Sequence, residues 1–227
     1  MYQSWNWLTF LHWAYPPEDV QALLPPGLTV DQHDDMAWVG LVPFRVDKLR
    51  LPHMRAIPWV SSFPETNVRT YVRDKSGERG TWFLSLDADR LAAVVGARTG
   101  FRLPYQWAHM SLIRSGARIR YSSVRNGLMA VRPAYSEIKI EIGERYDTDE
   151  LSERDHFLTA LWRLYTNFGE QLGYVQVEHP PWPLFHARVE KLDQDLITAA
   201  GLPAPLGDPL VHYSPGVDVK VARAVLL

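Results

Sequence analysis

The chain has 227 residues, no cysteine, and 24 basic against 26 acidic residues, for a formal net charge of −2. This balance excludes a global field that attracts nucleic acid or an anionic membrane, and the lack of cysteine excludes disulfides, thiolate nucleophiles and cysteine-based metal centres. The longest apolar run, Leu91–Ala97, is far below the ~20 residues of a membrane helix. We therefore expect a soluble, cytoplasmic protein with a single domain over residues 1–227.

The first predicted elements lie in the N-terminal 46 residues. Met1–Pro17 is aromatic and lacks the positive charge of a secretory signal, so we expect it to be folded. A short helix is predicted from Pro16, with acidic residues in its first turn, and Pro25–Gly27 ends it. From Leu28 the apolar residues repeat at every second position, which predicts a hairpin that extends to Val46.

The middle of the chain predicts mostly strands. Asn67–Arg73 and Thr81–Asp87 are expected to pair across a polar turn, and the apolar spacing in Asp87–Gly100 predicts a helix. Further predicted strands are Trp107–Arg114, Ala117–Arg125, Leu128–Tyr135 and Ser136–Glu144. In the last of these, three isoleucines alternate with charged residues, which is typical of an antiparallel sheet with one wet face.

The C-terminal part completes the pattern. Its predicted elements are a helix at Asp149–Trp162, strands at Val175–Glu178 and Phe185–Val189, a helix at Asp193–Gly201 and a strand at Gly216–Leu227. Many short strands, few helices and no βαβ rhythm indicate an α+β fold that is mainly antiparallel β. Because the strands form consecutive hairpins, we expect a closed β-barrel with a few short covering helices rather than a sandwich.

Several distinctive strings lie along this chain, among them Leu24–Leu28, Ala37–Phe44, Phe63–Val72, Trp82–Asp87 and His179–Leu184. In order and spacing they resemble the YqjF-like family of uncharacterised proteins, from about Trp7 to the last strand. This family has no established activity, so the resemblance implies no reaction.

The stretch Leu86–Gln106 is also similar to a segment of acetoacetate decarboxylase, which implies a closed barrel with the active site inside. In the decarboxylase this segment ends in Pro-Lys-Lys, and one lysine forms a Schiff base with the substrate. Here Tyr105 and Gln106 follow Pro104, and neither side chain can form an imine. We therefore expect no decarboxylation through a lysine Schiff base, and we predict no cofactor.

The strand that begins at Glu65 carries the main candidate site. Strict alternation puts Glu65, Asn67, Arg69 and Tyr71 on one face. If that face points into the barrel, Arg69 offers a planar cation to a substrate carboxylate and Glu65 offers an acid or base. The resemblance to the decarboxylase also implies an acidic residue at this position. If the face points outward, the same residues form a surface ion pair of little energetic value.

Other candidates depend on the fold. Tyr105, Gln106 and His109 follow Pro104 and are expected near the reacting centre, although His109 is equally explained as a core histidine bonded to backbone. Ser85 joins the site in one strand register and leaves it after a slip of one residue. The histidines show no metal-binding spacing, so we predict no metal site.

We predict a small-molecule-binding barrel, and one use of its site is enzymatic acid/base chemistry on a carbonyl or carboxylate metabolite. The alternative is a non-catalytic ligand-binding or interaction protein on the same barrel, and a third is a homodimer with a filled barrel. The predicted catalytic residues are Glu65, Tyr105 and His109, and the predicted substrate-binding residues are Arg69, Asn67, Ser85 and Gln106. The predicted partner is a small molecule such as a carboxylate, with homo-oligomers allowed and no nucleic acid or membrane.

Overall fold

The computed structural model describes residues 1–50, 61–92, 94–95, 102–126, 132–147 and 149–227. The strands are β1 (Tyr2–Tyr15), β2 (Leu28–Val30), β3 (Gln32–His33), β4 (Met36–Arg50), β5 (Phe63–Asp74), β6 (Arg79–Ala88), β7 (Tyr105–Ser115), β8 (Arg118–Arg125), β9 (Tyr135–Arg145), β10 (Arg163–Phe168), β11 (Gln171–Glu178), β12 (Phe185–Gln194) and β13 (Leu210–Leu226). The helices are α1 (Pro17–Gln21), α2 (Glu153–Thr159) and α3 (Leu196–Ala199).

All of these strands belong to one sheet, in the order β11-β10-β6-β7-β8-β9-β12-β13-β1-β4-β5-β2, with β3 paired to β4. The pairings are antiparallel except that β6 runs parallel to both β7 and β10. Two additional pairings join β5 to β6 and β11 to β13. The prediction of a strand-rich, mainly antiparallel fold is therefore confirmed.

The aromatic N-terminus forms β1. The sequence predicted that this segment is folded but did not predict a strand there. It pairs with β4 on one side and with β13 on the other, so it lies inside the sheet. Trp7 has a positive φ of 54°, and the β1–β4 register shifts between Asn6 and Leu11. This irregularity changes which side chains face inward, because a strand otherwise alternates its faces at every residue.

Two main groups of buried side chains pack on the two sides of the sheet. The first contains Ile138 and Ile140, which are fully buried as the alternation in β9 predicted, and it is covered by α1 and α3. The second contains Phe10, Val42 and Phe44 and surrounds a cavity. Strands such as β5 are buried on both faces because they lie between the two groups.

Several predicted boundaries change in the structure. The helix expected at Asp149–Trp162 is only the seven residues of α2, which begins at a capping box formed by Ser152 and Asp155. The chain then continues into β10, a strand that the sequence analysis missed. The helix predicted at Asp193–Gly201 is reduced to α3 because β12 extends to Gln194.

Two further predictions fall partly outside the described residues. Residues 91–92 and 94–95 are helical, as the apolar spacing in Asp87–Gly100 predicted, while residues 96–101 lie outside the described part. Of the strand expected at Leu128–Tyr135, residues 128–131 also lie outside it, and Tyr135 begins β9. None of the helices in the described ranges combines the length and the apolar character that a bilayer span requires.

Candidate functional site

The second buried group encloses a cavity of about 350 Å³ that is lined mainly by apolar and aromatic side chains. Strand β5 contributes Phe63, Glu65, Asn67 and Arg69 to its wall. The polar face of β5 therefore points inward, and the surface ion pair that we considered as the alternative is not present. A filled interior, as in the third alternative, does not describe this part of the molecule.

The opposite face of β5 explains this orientation. Val68 is buried in the first core group, so the strand is covered on both sides and Arg69 has no route to the surface on that face. The residue paired with Arg69 on β4 is Gly40, where an added Cβ would lie only 3.0 Å from the His12 ring. Gly40 thus leaves the space that His12 and Arg69 occupy.

Arg69 has unusual surroundings for an arginine. Its guanidinium lies 5.3 Å from the Phe10 ring centroid and 5.6 Å from that of Tyr71. One terminal nitrogen, Nη2, donates to the Leu158 carbonyl (3.3 Å) and to the Tyr71 hydroxyl (3.4 Å). Within the described residues no carboxylate lies within ion-pair distance of it, and its buried Nε has no hydrogen-bond partner. The guanidinium is therefore available to an anion in the cavity.

Arg163 provides a contrast on the same cavity wall. Its guanidinium nitrogens lie 3.6 Å from the Asp74 carboxylate and 3.5 Å from that of Glu78. Its charge is already compensated, whereas that of Arg69 is not. A second cavity, of about 410 Å³, shares Arg163 and Leu161 with the first.

Glu65 and Tyr105 form the second polar feature of the cavity. The Tyr105 hydroxyl donates to Oε2 of Glu65 across 2.8 Å, which joins β7 to β5. Burial raises the pKa of Glu65 to about 8, an effect that the Tyr105 hydrogen bond partly opposes and that the nearby Asp87 carboxylate reinforces. Burial and the Glu65 carboxylate raise the pKa of Tyr105 well above its ordinary value, so the phenol keeps its proton.

Asn67 lies between these two features on β5. It is 4% exposed, and its Oδ1 has no hydrogen-bond partner within the described residues. Buried amide oxygens are almost always bonded. This oxygen and Nε of Arg69 are therefore two buried polar atoms in the side chains of the cavity wall that no described residue satisfies.

The structure places Ser85 and Gln106 away from the cavity. In β6, Thr81, Phe83 and then Leu86 line the cavity, because the register with β5 shifts by one residue around Leu84. This bulge turns Ser85 to the other face, where its hydroxyl accepts a hydrogen bond from Arg125 (3.1 Å). Gln106 is buried but lies on the face of β7 opposite to Tyr105 and does not line the cavity.

His109 is exposed at the position where β7 leaves the cavity. It shares a strand face with Tyr105 but lies four residues farther along and is not among the residues that line the cavity. Its ring contacts Trp107, with 5.7 Å between centroids. This exposed position disagrees with the expectation that His109 lies near the centre of the site. It also disagrees with the alternative of a core histidine.

A buried hydrogen-bonded group lies behind Arg69. Alternation in β5 predicted that Tyr71 shares the face of Arg69, but His12 was not singled out from the sequence. The Tyr71 hydroxyl donates to the Leu158 carbonyl (2.8 Å), so the 2.6 Å contact with Nε2 of His12 requires that nitrogen to be the donor. Burial, with a smaller effect from Arg69, lowers the pKa of His12 well below its usual value. A neutral His12 therefore helps to hold the phenol against which Arg69 packs.

The residues present offer no Schiff-base lysine and no metal centre in the described part of the chain. All five lysines lie in the described residues and none lines the cavity; Lys220, the one with the most ambiguous sequence context, bonds to Glu178 (2.9 Å). No group of three or more His, Asp or Glu side chains within those residues is arranged to hold a metal ion.

The architecture places this molecule in the class of proteins with the acetoacetate decarboxylase-like fold. It is similar to acetoacetate decarboxylase from Legionella pneumophila subsp. pneumophila str. Philadelphia 1, with 15% identity, 99% of this chain and 86% of that chain covered, and a TM-score of 0.62. It is also similar to the enduracididine biosynthesis enzyme MppR complexed with pyruvate, with 13% identity, 99% and 89% covered, and a TM-score of 0.63. These similarities establish the fold alone.

The chain belongs to the DUF2071 family of uncharacterised conserved proteins, whose family model matches residues 2–218. It is 38% identical over 221 residues to the uncharacterised protein YqjF of Bacillus subtilis (strain 168). That alignment covers 96% of this chain and 89% of the relative. The resemblance that the sequence strings indicated is therefore confirmed.

Proposed function

We propose that this protein binds a small carboxylic acid in the cavity, with the ligand carboxylate on Arg69. The observation that carries the proposal is a guanidinium without a carboxylate partner among the described residues, at the wall of a mainly apolar cavity. A charge in such surroundings is unfavourable unless it is paired, and a bound carboxylate supplies the pair. The structure of MppR complexed with pyruvate adds a small oxo acid as a precedent on this fold.

The proposed chemistry is proton transfer by Glu65 next to a carbonyl group of the bound acid. A carboxyl with a pKa of about 8 is partly ionised at neutral pH and is much more basic than an ordinary glutamate. Glu65 takes a proton from the carbon beside the carbonyl, and the electron pair of that C–H bond forms the enolate. Tyr105 holds one carboxyl oxygen in place. The non-catalytic alternative retains Arg69 as the anchor but has no proton transfer.

We also propose that the strands close around the cavity as a barrel. The additional pairings of β5 with β6 and of β11 with β13 support closure, because they join strands that are far apart in the linear strand order. A cytoplasmic location is part of the same proposal, and the lack of cysteine supports it.

Binding is tested by isothermal titration calorimetry at pH 7 with 4-methyl-2-oxopentanoate and its uncharged methyl ester. The acid is expected to bind and the ester to bind far more weakly. Arg69→Gln is expected to weaken binding of the acid by roughly 10–150-fold, since hydrogen bonds to charged groups contribute about 1.5–3 kcal/mol. Arg188→Gln, at an exposed arginine, serves as the matched control. Equal binding of acid and ester, or an Arg69→Gln variant that binds normally, would overturn the proposal.

Catalysis is tested by following deuterium uptake at C3 of the same acid in D₂O by proton NMR. Wild-type protein is expected to accelerate exchange, and Glu65→Gln is expected to abolish the acceleration while it retains binding. If both proteins bind the acid and neither accelerates exchange, the non-catalytic alternative is correct.

A further inference from the structure

The wall of the cavity also constrains the part of the ligand that does not touch Arg69. Beside the polar residues of β5 lies a series of four aromatic rings in successive contact, which we term the aromatic row: Phe44, Trp5, Trp182 and Phe10. The first three line the cavity, and the fully buried Phe10 lies behind Trp182. The ring centroids of Trp5 and Phe44 are 5.8 Å apart, those of Trp5 and Trp182 are 6.2 Å apart, and those of Trp182 and Phe10 are 5.4 Å apart.

One end of the aromatic row lies next to Glu65, and the other end lies next to Arg69. Phe44 is the strand partner of Glu65 in the β4–β5 register. Phe10 lies beneath the Arg69 guanidinium, 5.3 Å from its centre. A ligand that reaches from Arg69 toward Glu65 therefore lies along the three rings of the row that line the cavity, Trp182, Trp5 and Phe44, none of which is charged.

The size of the cavity sets a second constraint. At ~30 Å³ for each water-sized group, a volume of about 350 Å³ has room for at least about twelve heavy atoms. Pyruvate has six heavy atoms and would leave about half of that space unfilled. Cavities that remain unfilled lose dispersion contacts, so a larger apolar body binds better here than a small acid.

The electrostatics of the wall set a third constraint. Arg163 also lines the cavity, but Asp74 and Glu78 compensate its charge. Near neutral pH the carboxyl of Glu65 is largely uncharged, and burial lowers the pKa of His179, so that ring is uncharged as well. A second charge on the ligand would therefore be desolvated without compensation.

We propose that the ligand is a monocarboxylic acid of at least about nine heavy atoms whose body is an uncharged apolar group, either a branched alkyl chain or an aromatic ring, packed on the aromatic row. This inference rests on the proposed function, because it takes the carboxylate to lie on Arg69. It goes beyond that function by naming the remainder of the ligand and by excluding dicarboxylic acids.

The test is a calorimetric series at pH 7 with pyruvate, 4-methyl-2-oxopentanoate, phenylpyruvate and the dicarboxylate 2-oxoglutarate. Each buried methylene is expected to raise affinity about fourfold, so the two larger monocarboxylates should bind tens of times more tightly than pyruvate. The comparison of 4-methyl-2-oxopentanoate with phenylpyruvate distinguishes the branched alkyl from the aromatic body. Binding of 2-oxoglutarate should be weaker than that of either.

A substitution in the apolar wall makes the test specific to this cavity. Val177→Phe fills part of the space and should weaken binding of phenylpyruvate at least tenfold while it leaves pyruvate binding nearly unchanged. Val42→Thr, which keeps the shape of the side chain and adds a hydroxyl to the same wall, serves if the first variant does not fold. Val124→Phe, at an exposed position, is the control.

The outcomes separate the two proposals. If binding depends on Arg69 but pyruvate binds as tightly as the larger acids, or 2-oxoglutarate binds best, this inference is wrong and the proposed function stands. If the larger acids bind equally well to wild type and Arg69→Gln, the carboxylate does not lie on Arg69 and both are wrong.

Discussion

Glu65, Asn67 and Arg69 are polar residues with mostly apolar neighbours, and that contrast determines their chemistry. The same three side chains on a wet strand face would be an ordinary acid, amide and cation, with an ion pair of little value. In the cavity the acid holds its proton to a pKa of about 8, and the amide oxygen and the guanidinium Nε lack partners within the described residues. Burial thus makes each of them sensitive to a ligand.

The raised pKa of Glu65 has a consequence for stability. In the unfolded chain a glutamate titrates near 4.5, whereas the folded protein keeps the proton up to about pH 8. Between these values unfolding releases a proton, so the free energy of unfolding falls as the pH rises, by up to about 1.4 kcal/mol per pH unit. The contribution is fully present below pH ~4.5 and is lost by the time the pH passes 8.

Urea denaturation of wild type and Glu65→Gln at pH 5, 6, 7 and 8 measures this effect. The wild type should lose stability relative to the variant as the pH rises, because glutamine does not titrate and its amide oxygen can still accept from Tyr105. Glu170→Gln, at an exposed glutamate, should follow the wild type. Parallel pH profiles for wild type and Glu65→Gln would show that the carboxyl is not buried as described.

At the level of secondary structure, irregular positions in two strands decide which side chains reach the cavity. In β1 the lining residues Gln3 and Trp5 are followed by Leu8, because the chain has a positive φ at Trp7. In β6 the bulge at Leu84 exchanges the two faces and removes Ser85 from the cavity. Without these two shifts, strict alternation would assign different residues to the site.

The face of β6 that points away from the cavity carries a buried ion pair. Asp87 accepts from Nε of Arg125 (2.9 Å), and the Ser123 hydroxyl donates to the same carboxylate (3.0 Å). The two charged side chains are 1% and 3% exposed. Burial raises the pKa of Asp87 even though Arg125 opposes the change, so the carboxylate depends on its partner.

Arg125→Met should therefore destabilise the protein by about 3–5 kcal/mol, because it leaves a buried carboxylate without its cation. The double variant Arg125→Met/Asp87→Leu should recover most of that loss in urea denaturation at pH 7. Ligand affinity should remain unchanged in the double variant, since neither residue lines the cavity. A single substitution that costs less than about 1 kcal/mol would contradict the structural role of the pair.

At the level of the whole molecule, the fold is that of acetoacetate decarboxylase while the reactive lysine is absent. None of the five lysines lines the cavity, and Tyr105 instead contributes a phenol bonded to Glu65. The fold therefore provides an interior cavity without a lysine among the described residues that line it. Similarity of fold does not by itself imply similarity of reaction.

Borohydride reduction in the presence of 4-methyl-2-oxopentanoate tests this point. No reduced adduct is expected on any lysine, because a Schiff base requires an amine within reach of the bound carbonyl. Peptide mass mapping of the reduced protein is the measurement, and a lysine-dependent decarboxylase treated in parallel is the positive control. An adduct on one lysine that forms only with wild type and not with Arg69→Gln would contradict the assignment.

The sequence by itself determined the strand-rich class, the family and the pairing of polar and apolar faces in β5 and β9, because these depend on local alternation and on strings that are contiguous in the chain. It also excluded a lysine at the position after Pro104. Alternation does not say which face is buried, so the sequence left the direction of Arg69 open.

The tertiary structure decided what alternation could not. It turned the Glu65 face inward, because Val68 on the other face packs into a second core group. It moved Ser85 out through a bulge and placed His109 beyond the cavity, since register and strand length depend on the neighbouring strands. Such pairings join residues that are far apart in the chain, so the alternation of residues within one strand does not determine them.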